Sequence, residues 1–351
     1  MIIKNITTRP AAVPVAILPI KTDNIFTIKI DKSIEIITVA KPKIKDAHQK
    51  NVGIILEEKK ILKILSKRYK NVSITKISTE RDLQKLATRN PDLVFSGVKY
   101  FEFKDKTVWL NNYLDQFHIP YIASNVTALN NESDKNRAKK TIQIAKIKTA
   151  DFFVTEPGEY LTKNSLPIKF PLFLKPVVGG DSRGVDKNSI VLNFKNFVKK
   201  VLDIKNKQNS SCLVETYLSG KEYSVGIFED SLDKSLVAMP IEIIVKKNSN
   251  GHRILDFKIK KNDEEKVIAV SDSKIFNKLS NLAKKSFTAL GGKSFGRIDI
   301  KMDHKGVPHF IEANLMPGLR KGYFYRSCLL NLGLTYDEMI LRIANNGLAS
   351  N

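Results

Sequence analysis

Residues 295–314 read FGRIDIKMDHKGVPHFIEAN and contain two strand-like runs joined by a short turn. Because successive side chains of a strand point to opposite faces, Arg297 and Asp299 share one face of the first run. By the same alternation, Glu312 and Asn314 share one face of the second run. If the two faces coincide, three oxygen donors suited to Mg²⁺ and nucleotide phosphates converge beside a guanidinium that can stabilise an anionic oxygen. The alternative is a surface hairpin with alternating polar side chains.

A second motif is the strand-like run FPLFLKPV, residues 170–177, which carries Lys175 and precedes a glycine-containing turn at residues 179–184. Backbone amides that glycine leaves accessible, next to a cation, can bind phosphate groups. The turn matches neither a Walker A loop nor a dinucleotide-binding fingerprint. Taken alone, a glycine turn after a strand is more often a simple connection, so both interpretations stay open.

A third motif runs from Glu215 through Tyr217 and Leu218 and reaches Glu222 after a glycine. A strand that ends in exposed backbone groups can pair with the edge of a planar base. A carboxylate seven residues further along, here Glu222, can bind ribose hydroxyls. The alternative is an edge strand followed by its turn.

Alternating strand and helix patterns over residues 51–125 predict a parallel sheet with helical crossovers, and hence an α/β fold. The chain before them, residues 1–50, contains β-like runs at 13–20, 25–30 and 34–39 and is interpreted as an N-terminal β extension. A helix is also expected over residues 107–117. The remaining chain divides at a polar stretch into a central part, residues 126–210, that opens with a helix from Glu132, and a C-terminal part, residues 211–351.

Composition limits the classes of function. The 351 residues carry a formal net charge of +23, which would suit a polyanion such as nucleic acid. The basic residues are dispersed, however, and are mostly lysine rather than arginine, so a nucleic-acid partner is a minority interpretation and compositional background is favoured. The ten-residue apolar run at 11–20 is interrupted by prolines and has half of the roughly 20 residues that a membrane helix needs. Two cysteines, Cys212 and Cys328, form no disulfide framework, which favours the cytoplasm and a packing role for both.

The three motifs, in their order and spacing, resemble the ATP-grasp superfamily and, within it, the D-alanine:D-alanine ligase branch. The resemblance extends from about residue 51 to residue 349 and includes HIPYIAS, residues 118–124, with Asp134 and Lys135 downstream. It implies an ATP-grasp fold in which the central and C-terminal parts are α+β domains that hold ATP between them. It also implies ATP and Mg²⁺ as cofactors, amino acids as substrates, and a homodimer formed through the first domain.

The resemblance assigns a role to each matching residue. The phosphate-binding lysines would be Lys135 and Lys175, with Lys260 of a mobile loop also at the ATP. The contacts to adenine would be Glu215, Tyr217 and Leu218, with Glu222 at the ribose. The magnesium ligands would be Asp299, Glu312 and Asn314. The groups that stabilise the oxyanion would be Arg297 and the amide of Gly318.

The substrate half departs from the family pattern. The turn after Lys175 carries Asp181 before Ser182 where the ligases have a serine, and the segment after the Pro-Gly pair contains Arg320 and Tyr323 in place of a T-x-H-S-L type sequence. These four residues are the expected substrate contacts. The resemblance therefore implies an ATP-dependent carboxylate–amine ligase that joins two amino acids through an acyl phosphate. A ligase for a different amino acid or peptide, and a catalytically decayed nucleotide-binding protein, are the alternatives.

Overall fold

The computed structural model describes residues 28–39, 53–104, 106–180, 182–230, 233–248 and 251–349. The first elements of the chain are β1 (Ile30–Val39), α1 (Glu58–Leu65), β2 (Tyr69–Ile77), α2 (Glu80–Arg89), β3 (Leu93–Ser96), β4 (Tyr100–Phe103), β5 (Lys106–Trp109) and α3 (Leu110–Gln116). Strands β1, β2 and β3 form a parallel sheet in the order β2-β1-β3, with α1 and α2 as the crossovers. This topology matches the alternating pattern of the sequence.

Strand β1 is the central strand of this sheet, whereas the sequence pattern places residues 34–39 in an N-terminal extension. Ile36 and Ile37 point to opposite faces and both are buried, so both faces of the strand are covered, as is typical of a central parallel strand. Glu35 is buried beside them, and the guanidinium of Arg89 donates to its two carboxylate oxygens at 2.6 and 2.7 Å. The predicted boundary of the N-terminal extension at residue 50 is therefore wrong, because β1 is a strand of the first sheet.

Two further expectations for the first domain change. The strand expected from residue 51 has no counterpart in the described part, residues 53–57, apart from a bridge between Gly53 and Val98. The helix expected over residues 107–117 begins only at Leu110, because the preceding four residues pair with β4 as a hairpin. The run at 13–20 and the start of the run at 25–30 lie outside the described residues.

A break at Asp134 divides the next helical region into α4 (Val126–Ser133) and α5 (Lys135–Ile144), where the sequence pattern predicts one helix. The carboxylate of Asp134 accepts a hydrogen bond from the backbone N–H of Arg137 and so caps α5. The cap makes Lys135 the first residue of α5. This position fixes the backbone of a predicted phosphate-binding lysine.

Two antiparallel sheets follow. The elements of the central part are β6 (Phe152–Thr155), β7 (Leu172–Pro176), β8 (Ile190–Val191), α6 (Phe194–Gln208) and β9 (Cys212–Thr216). Their strands form a four-stranded sheet in the order β6-β9-β7-β8, and α6 covers one face of it.

The C-terminal elements are β10 (Glu222–Glu229), β11 (Leu236–Ile244), α7 (Phe257–Asn262), β12 (Lys266–Ala269), α8 (Ser273–Ala289), β13 (Phe295–Met302), β14 (Pro308–Asn314), α9 (Tyr323–Leu332) and α10 (Tyr336–Leu348). Their strands form a five-stranded sheet in the order β12-β11-β10-β13-β14. Helix α9 begins inside the segment that the sequence pattern treats as a substrate loop.

The hydrophobic core is continuous from the first sheet to the C-terminal sheet. Ile36 of β1 and Ile298 of β13 belong to the same buried cluster, and α10 packs against α1 and β3. The approach is close at Gly347, where a Cβ atom would lie 2.7 Å from a methyl group of Leu93. Among the helices of the described ranges, none combines the length and apolar character needed to cross a membrane.

Candidate functional site

A cleft lies between the four-stranded and five-stranded sheets, and we call it the inter-sheet cleft. Strands β7 and β9 supply one wall, and β10, β13 and β14 supply the other. The predicted site residues that line it are Lys135, Lys175, Ser182, Glu215, Tyr217, Leu218, Glu222, Lys260, Asp299 and Glu312. Three motifs that are far apart in the sequence therefore meet in one place.

Glu215 is buried between two lysines at the base of the cleft. Lys175 on the neighbouring strand β7 approaches one of its carboxylate oxygens at 2.6 Å, and Lys139 of α5 approaches the other at 2.7 Å. Burial alone raises the pKa of Glu215, but the two ammonium groups outweigh it and hold the pKa below its ordinary value. The Glu215 carboxylate is therefore ionised and holds the Lys175 side chain in place.

Lys139 is a residue that the sequence motifs miss. Its side chain is fully buried, and its ammonium group also donates to the hydroxyl of Thr149. It lies one helical turn after Lys135, so the two lysines share a face of α5. That spacing was the available signal, but many lysines of this chain have such a neighbour.

Lys135 is held against the glycine turn by two contacts. Its ammonium group donates to the carbonyl of Gly179 at 2.6 Å, and its backbone N–H donates to the carbonyl of Val177 at 3.2 Å. Burial lowers the pKa of Lys135, while the nearby Glu312 carboxylate opposes that shift. The α5 helix and the turn are thereby joined at the point where a phosphate group would enter.

The register of β13 and β14 brings the polar faces of the two strands together. Asp299 is the direct partner of Glu312, and Arg297 is the direct partner of Asn314. The Arg297 guanidinium binds both oxygens of Asp299, at 3.0 and 2.9 Å, and the Asn314 amide lies 3.4 Å from the same carboxylate. Ser224 of β10 adds a hydrogen bond to Asp299 at 2.7 Å. The polar faces of the two strands therefore coincide, which is the condition that the metal-site interpretation of this motif requires.

Glu312 is surrounded by cations. Burial on its own raises the pKa of Glu312, but the charges of Lys135, Lys260, Lys175 and Arg297 outweigh it and lower the pKa to about 2. The carboxylate is thus ionised at any physiological pH.

The residues present fit a Mg²⁺ ion that is coordinated partly by the protein and partly by the phosphate groups of a nucleotide. No group of three carboxylate, histidine or cysteine side chains suited to a metal exists within the described ranges. Two carboxylates, Asp299 and Glu312, and the amide of Asn314 leave most coordination positions to phosphate oxygens and water. Mg²⁺ at phosphate-transfer sites is held in this way, by one or two carboxylates plus the substrate.

Tyr217, Leu218 and Glu222 line one end of the cleft, which we call the base end because the third motif predicts the adenine base there. The ring of Tyr217 packs edge-on against His252 with 5.6 Å between ring centroids. Glu222 lies opposite Lys301 on β13 and binds its ammonium group at 2.8 Å. This ion pair places a carboxylate beside the wall where the third motif predicts a ribose.

The segment that carries Lys260 is helix α7 rather than the mobile loop that the resemblance implies, and residues 257–266 are fastened to the start of α9. The hydroxyl of Tyr323 donates to Glu265 at 2.6 Å, and Arg326 forms an ion pair with Asp263. The Tyr323 ring lies 5.9 Å from the Lys260 ammonium group and 5.5 Å from the Arg297 guanidinium. Burial, with Glu265 adding to it, raises the pKa of the Tyr323 hydroxyl, which therefore stays protonated.

The other predicted residues are placed less closely. Gly318 is an exposed residue of the otherwise largely buried stretch 315–319 between β14 and α9, and a Cβ atom there would meet no atom within 4 Å. Arg320 is exposed as well. Asp181 lies outside the described residues.

A second contact that the motifs miss joins the first domain to this segment. Glu132 binds the Lys99 ammonium group at 2.6 Å through one oxygen. Its other oxygen accepts from the backbone N–H groups of Leu315 and Met316 at 2.7 and 3.1 Å. The chain directly after Asn314 is therefore fixed by a buried ion pair.

Comparison with known proteins gives a consistent set of relatives. The family model described as "D-ala D-ala ligase C-terminus" matches residues 142–345. The D-alanine–D-alanine ligase of Actinobacillus pleuropneumoniae serotype 5b (strain L20) is 28% identical over 239 residues, which are 67% of this chain and 74% of the relative. The corresponding ligase of Sinorhizobium fredii (strain NBRC 101917 / NGR234) is 28% identical over 274 residues, which are 76% of this chain and 84% of the relative.

Solved structures share the fold. The crystal structure of D-alanine–D-alanine ligase from Bacillus anthracis complexed with ATP has a TM-score of 0.65 at 19% identity, over 90% of this chain and 97% of the other. The VanG D-Ala:D-Ser ligase from Enterococcus faecalis has a TM-score of 0.61 at 17% identity, over 91% of this chain and 100% of the other. The α/β, ATP-grasp fold class predicted from the sequence is confirmed.

Proposed function

Because the chain belongs to the family defined by the C-terminal part of D-Ala D-Ala ligases, we propose that it is an ATP-dependent ligase that forms a carbon–nitrogen bond between two amino acids. The observation that carries this proposal is the facing pair Asp299 and Glu312 beside Arg297 at the end of a cleft that also contains Lys135 and Lys175. Such a site has cations for a polyphosphate, oxygen ligands for Mg²⁺, and a guanidinium for an oxyanion.

In the first step a substrate carboxylate attacks the γ-phosphorus of ATP, which forms an acyl phosphate and releases ADP. Lys135 and Lys175 orient the phosphate groups and offset their charge. Asp299, Glu312 and Asn314 would hold Mg²⁺, which when bound neutralises charge on the transferring phosphoryl group. The buried Glu215 keeps Lys175 aimed into the cleft.

In the second step the amine of the other substrate attacks the acyl carbon, and phosphate leaves. The tetrahedral intermediate carries an oxyanion, which Arg297 and the amide of Gly318 stabilise. Arg297 is held for this task by its two hydrogen bonds to Asp299. No covalent attachment to the protein is required, and Cys212 and Cys328 are both buried.

The substrate half favours an amino acid or peptide other than D-alanine for at least one of the two positions. Tyr323 stands in the segment that the family uses for the second substrate, but its hydroxyl already donates to Glu265. Ser182 at the turn and the exposed Arg320 are the remaining contacts that we propose for the substrates, together with Asp181. The charged side chains among them suit polar or charged substrates.

Phosphate release measured with MgATP across a panel of D- and L-amino acids and dipeptides, with mass detection of products, tests the proposal. We expect release only with the correct substrates, and a product one water lighter than their sum. Lys175→Ala should abolish turnover, while Lys140→Ala, an exposed lysine of α5, should not. MgATP binding without stimulated turnover on any amine and carboxylate pair would instead identify a nucleotide-binding protein that has lost catalysis.

We further propose that the enzyme acts in the cytoplasm, where ATP and amino acids are available, and as a homodimer through its first domain. The family resemblance supports the dimer. Light scattering coupled to size-exclusion chromatography should give about twice the chain mass of 39.6 kDa, and a mass of one chain would contradict it.

A further inference from the structure

The glycine turn between β7 and β8 is anchored at both of its ends. At its start, the carbonyl of Gly179 accepts from the Lys135 ammonium group at 2.6 Å. At its end, the carbonyl of Gly184 accepts from the buried Lys200 ammonium group at 3.0 Å. Lys200 also forms an ion pair at 3.0 Å with Asp186, just beyond the turn. The two described ends of the turn, at Gly179 and Gly184, are therefore held against α5 and α6.

The backbone of the turn adds to this restraint. Gly184 has φ +78°, and a Cβ atom there would lie 2.5 Å from the ring of Pro176. The turn thus packs directly on the end of β7, which carries Lys175. Ser182 has φ +56°, a left-handed conformation that few non-glycine residues adopt. The backbone from which the side chains of Ser182 and Arg183 extend is therefore constrained.

Arg183 lies in this turn, directly before Gly184. Its side chain is exposed and, like that of Lys175, lines the inter-sheet cleft. Of the other cations that line the cleft, Lys175 is paired with Glu215 and Lys301 with Glu222. The Arg183 side chain, like that of Arg253, has no hydrogen bond or ion pair with any residue of the described ranges, whereas its backbone N–H donates to the carbonyl of Gly180 at 3.1 Å.

An unpaired guanidinium on a fixed support in a cleft is suited to an oxyanion ligand. Its planar fork of N–H donors matches two oxygens of a phosphate group, which a lysine ammonium group does not. Lys135 and Lys175 mark the adjacent region as the one that receives phosphate charge, whereas Tyr217 and Leu218 line the base end.

We propose that Arg183 binds the phosphate groups of ATP beyond the one attached to the ribose, with two N–H groups donating to phosphate oxygens. The inference rests on the proposed function in that it takes ATP as the ligand of the cleft. It makes Arg183 a residue that distinguishes nucleoside triphosphates from monophosphates.

Calorimetric titration of the full chain with MgATP, MgADP and AMP, without any amino acid, tests the proposal. Removing one charge-assisted, two-donor contact should weaken MgATP binding about tenfold in Arg183→Ala. AMP binding should change by less than about twofold, because AMP lacks the groups that Arg183 contacts. Arg183→Lys should recover only part of the MgATP affinity, since lysine keeps the charge and loses the fork.

Arg253 provides the matched control. It also lines the inter-sheet cleft and is exposed, and it has no ion pair among the described residues, but it follows His252, which packs on Tyr217 at the base end. Arg253→Ala therefore removes the same charge from the same cleft. Arg253→Ala should weaken the binding of MgATP and of AMP to a similar degree, or should leave both affinities unchanged.

Three results would overturn the proposal: unchanged MgATP affinity in Arg183→Ala, equal losses for MgATP and AMP in that variant, or the same MgATP-selective loss in Arg253→Ala. Failure of the proposed function has a different signature. The wild type would then bind MgATP with the predicted Arg183 dependence but release no phosphate with any amino acid. A wild type that binds no MgATP would refute both.

Discussion

Asp299 and Glu312 are direct cross-strand partners on β13 and β14. Two carboxylates placed opposite each other repel, and a pair of this kind destabilises a sheet unless cations lie nearby. Here Arg297 binds Asp299 through both oxygens, and Lys135 is the main positive charge acting on Glu312. The arrangement holds two carboxylates close together and offsets their repulsion, which is the requirement for binding a divalent cation at this point.

Glu312→Gln should reduce amino-acid-dependent phosphate release at least about 100-fold, because the amide cannot replace an anionic magnesium ligand. Asp299→Asn should have a similar effect and should also free Arg297 from its position. The measurement is the rate as a function of Mg²⁺ concentration at saturating ATP. Glu159→Gln, which changes an exposed carboxylate, serves as the control and should leave the rate within about twofold. If the rate of Glu312→Gln depended on Mg²⁺ concentration as the wild-type rate does, Glu312 would not be a magnesium ligand.

The depressed pKa of Glu312 also predicts a pH dependence of stability. Its pKa falls from an ordinary 4.5 to about 2 on folding, so its contribution to stability is complete above about pH 5 and is lost as the pH falls toward 2. The free energy of unfolding of the wild type minus that of Glu312→Gln should therefore decrease on acidification, on the order of 1–3 kcal/mol in total. Urea denaturation of both proteins between about pH 6 and 3 provides the measurement. A difference that stays constant with pH would show that Glu312 titrates normally.

The sequence predicts those parts of the site that depend on local order. Strand alternation was sufficient to place Arg297 with Asp299, and Glu312 with Asn314, on shared strand faces. A register continued from the pair Ile300 and Phe310 would set Asp299 opposite Ile311, and a register shift between Asp299 and Ile300 sets it opposite Glu312 instead. No feature of the sequence predicts that shift. The position of β1 could not be predicted in the same way, since its partners β2 and β3 follow it by about 30 to 60 residues. A short apolar run gives no information about which distant strands will cover its two faces.

The contacts that hold the site residues were the least predictable. A buried lysine such as Lys139 has the same sequence pattern as an exposed one, and in a chain with 59 Lys and Arg residues the exposed interpretation is favoured. The pair of Tyr323 and Glu265 joins residues 58 positions apart. The start of α9 at Tyr323 was also missed, because its sequence was interpreted by comparison with a substrate loop.

Lys139→Met should destabilise the fold by roughly 3 kcal/mol, since it leaves the buried Glu215 with Lys175 as its remaining ion-pair partner. The change in free energy of unfolding is measured with urea, at neutral pH and without nucleotide. Lys140→Met, the same substitution at the adjacent exposed position, should change it by less than about 0.5 kcal/mol. Because Lys139 lies outside the cleft lining, MgATP affinity should fall less than in Lys175→Met. Equal free energies of unfolding for Lys139→Met and Lys140→Met would show that the ion pair between Lys139 and Glu215 does not stabilise the fold.

Tyr323→Phe should loosen residues 257–266, which comprise α7 with Lys260 and the start of β12. The substitution keeps the ring between Lys260 and Arg297 but removes the hydroxyl that donates to Glu265. A hydrogen bond to a buried carboxylate is worth about 1.5–3 kcal/mol, so the population of molecules in which residues 257–266 are detached should rise at least about tenfold.

Limited trypsin digestion measures this opening without knowledge of the substrates, because residues 257–266 contain four cleavage sites at lysines, Lys258, Lys260, Lys261 and Lys266. Under conditions where opening precedes cleavage, the initial rate of cutting in residues 258–266 should rise in proportion to the open population. Tyr325→Phe alters a neighbouring tyrosine whose ring packs on Tyr336, with 5.9 Å between ring centroids, and should leave the cutting rate unchanged. Equal cutting rates in the wild type and Tyr323→Phe would mean that other contacts hold residues 257–266 in place. The ion pair between Arg326 and Asp263 is the next contact to test.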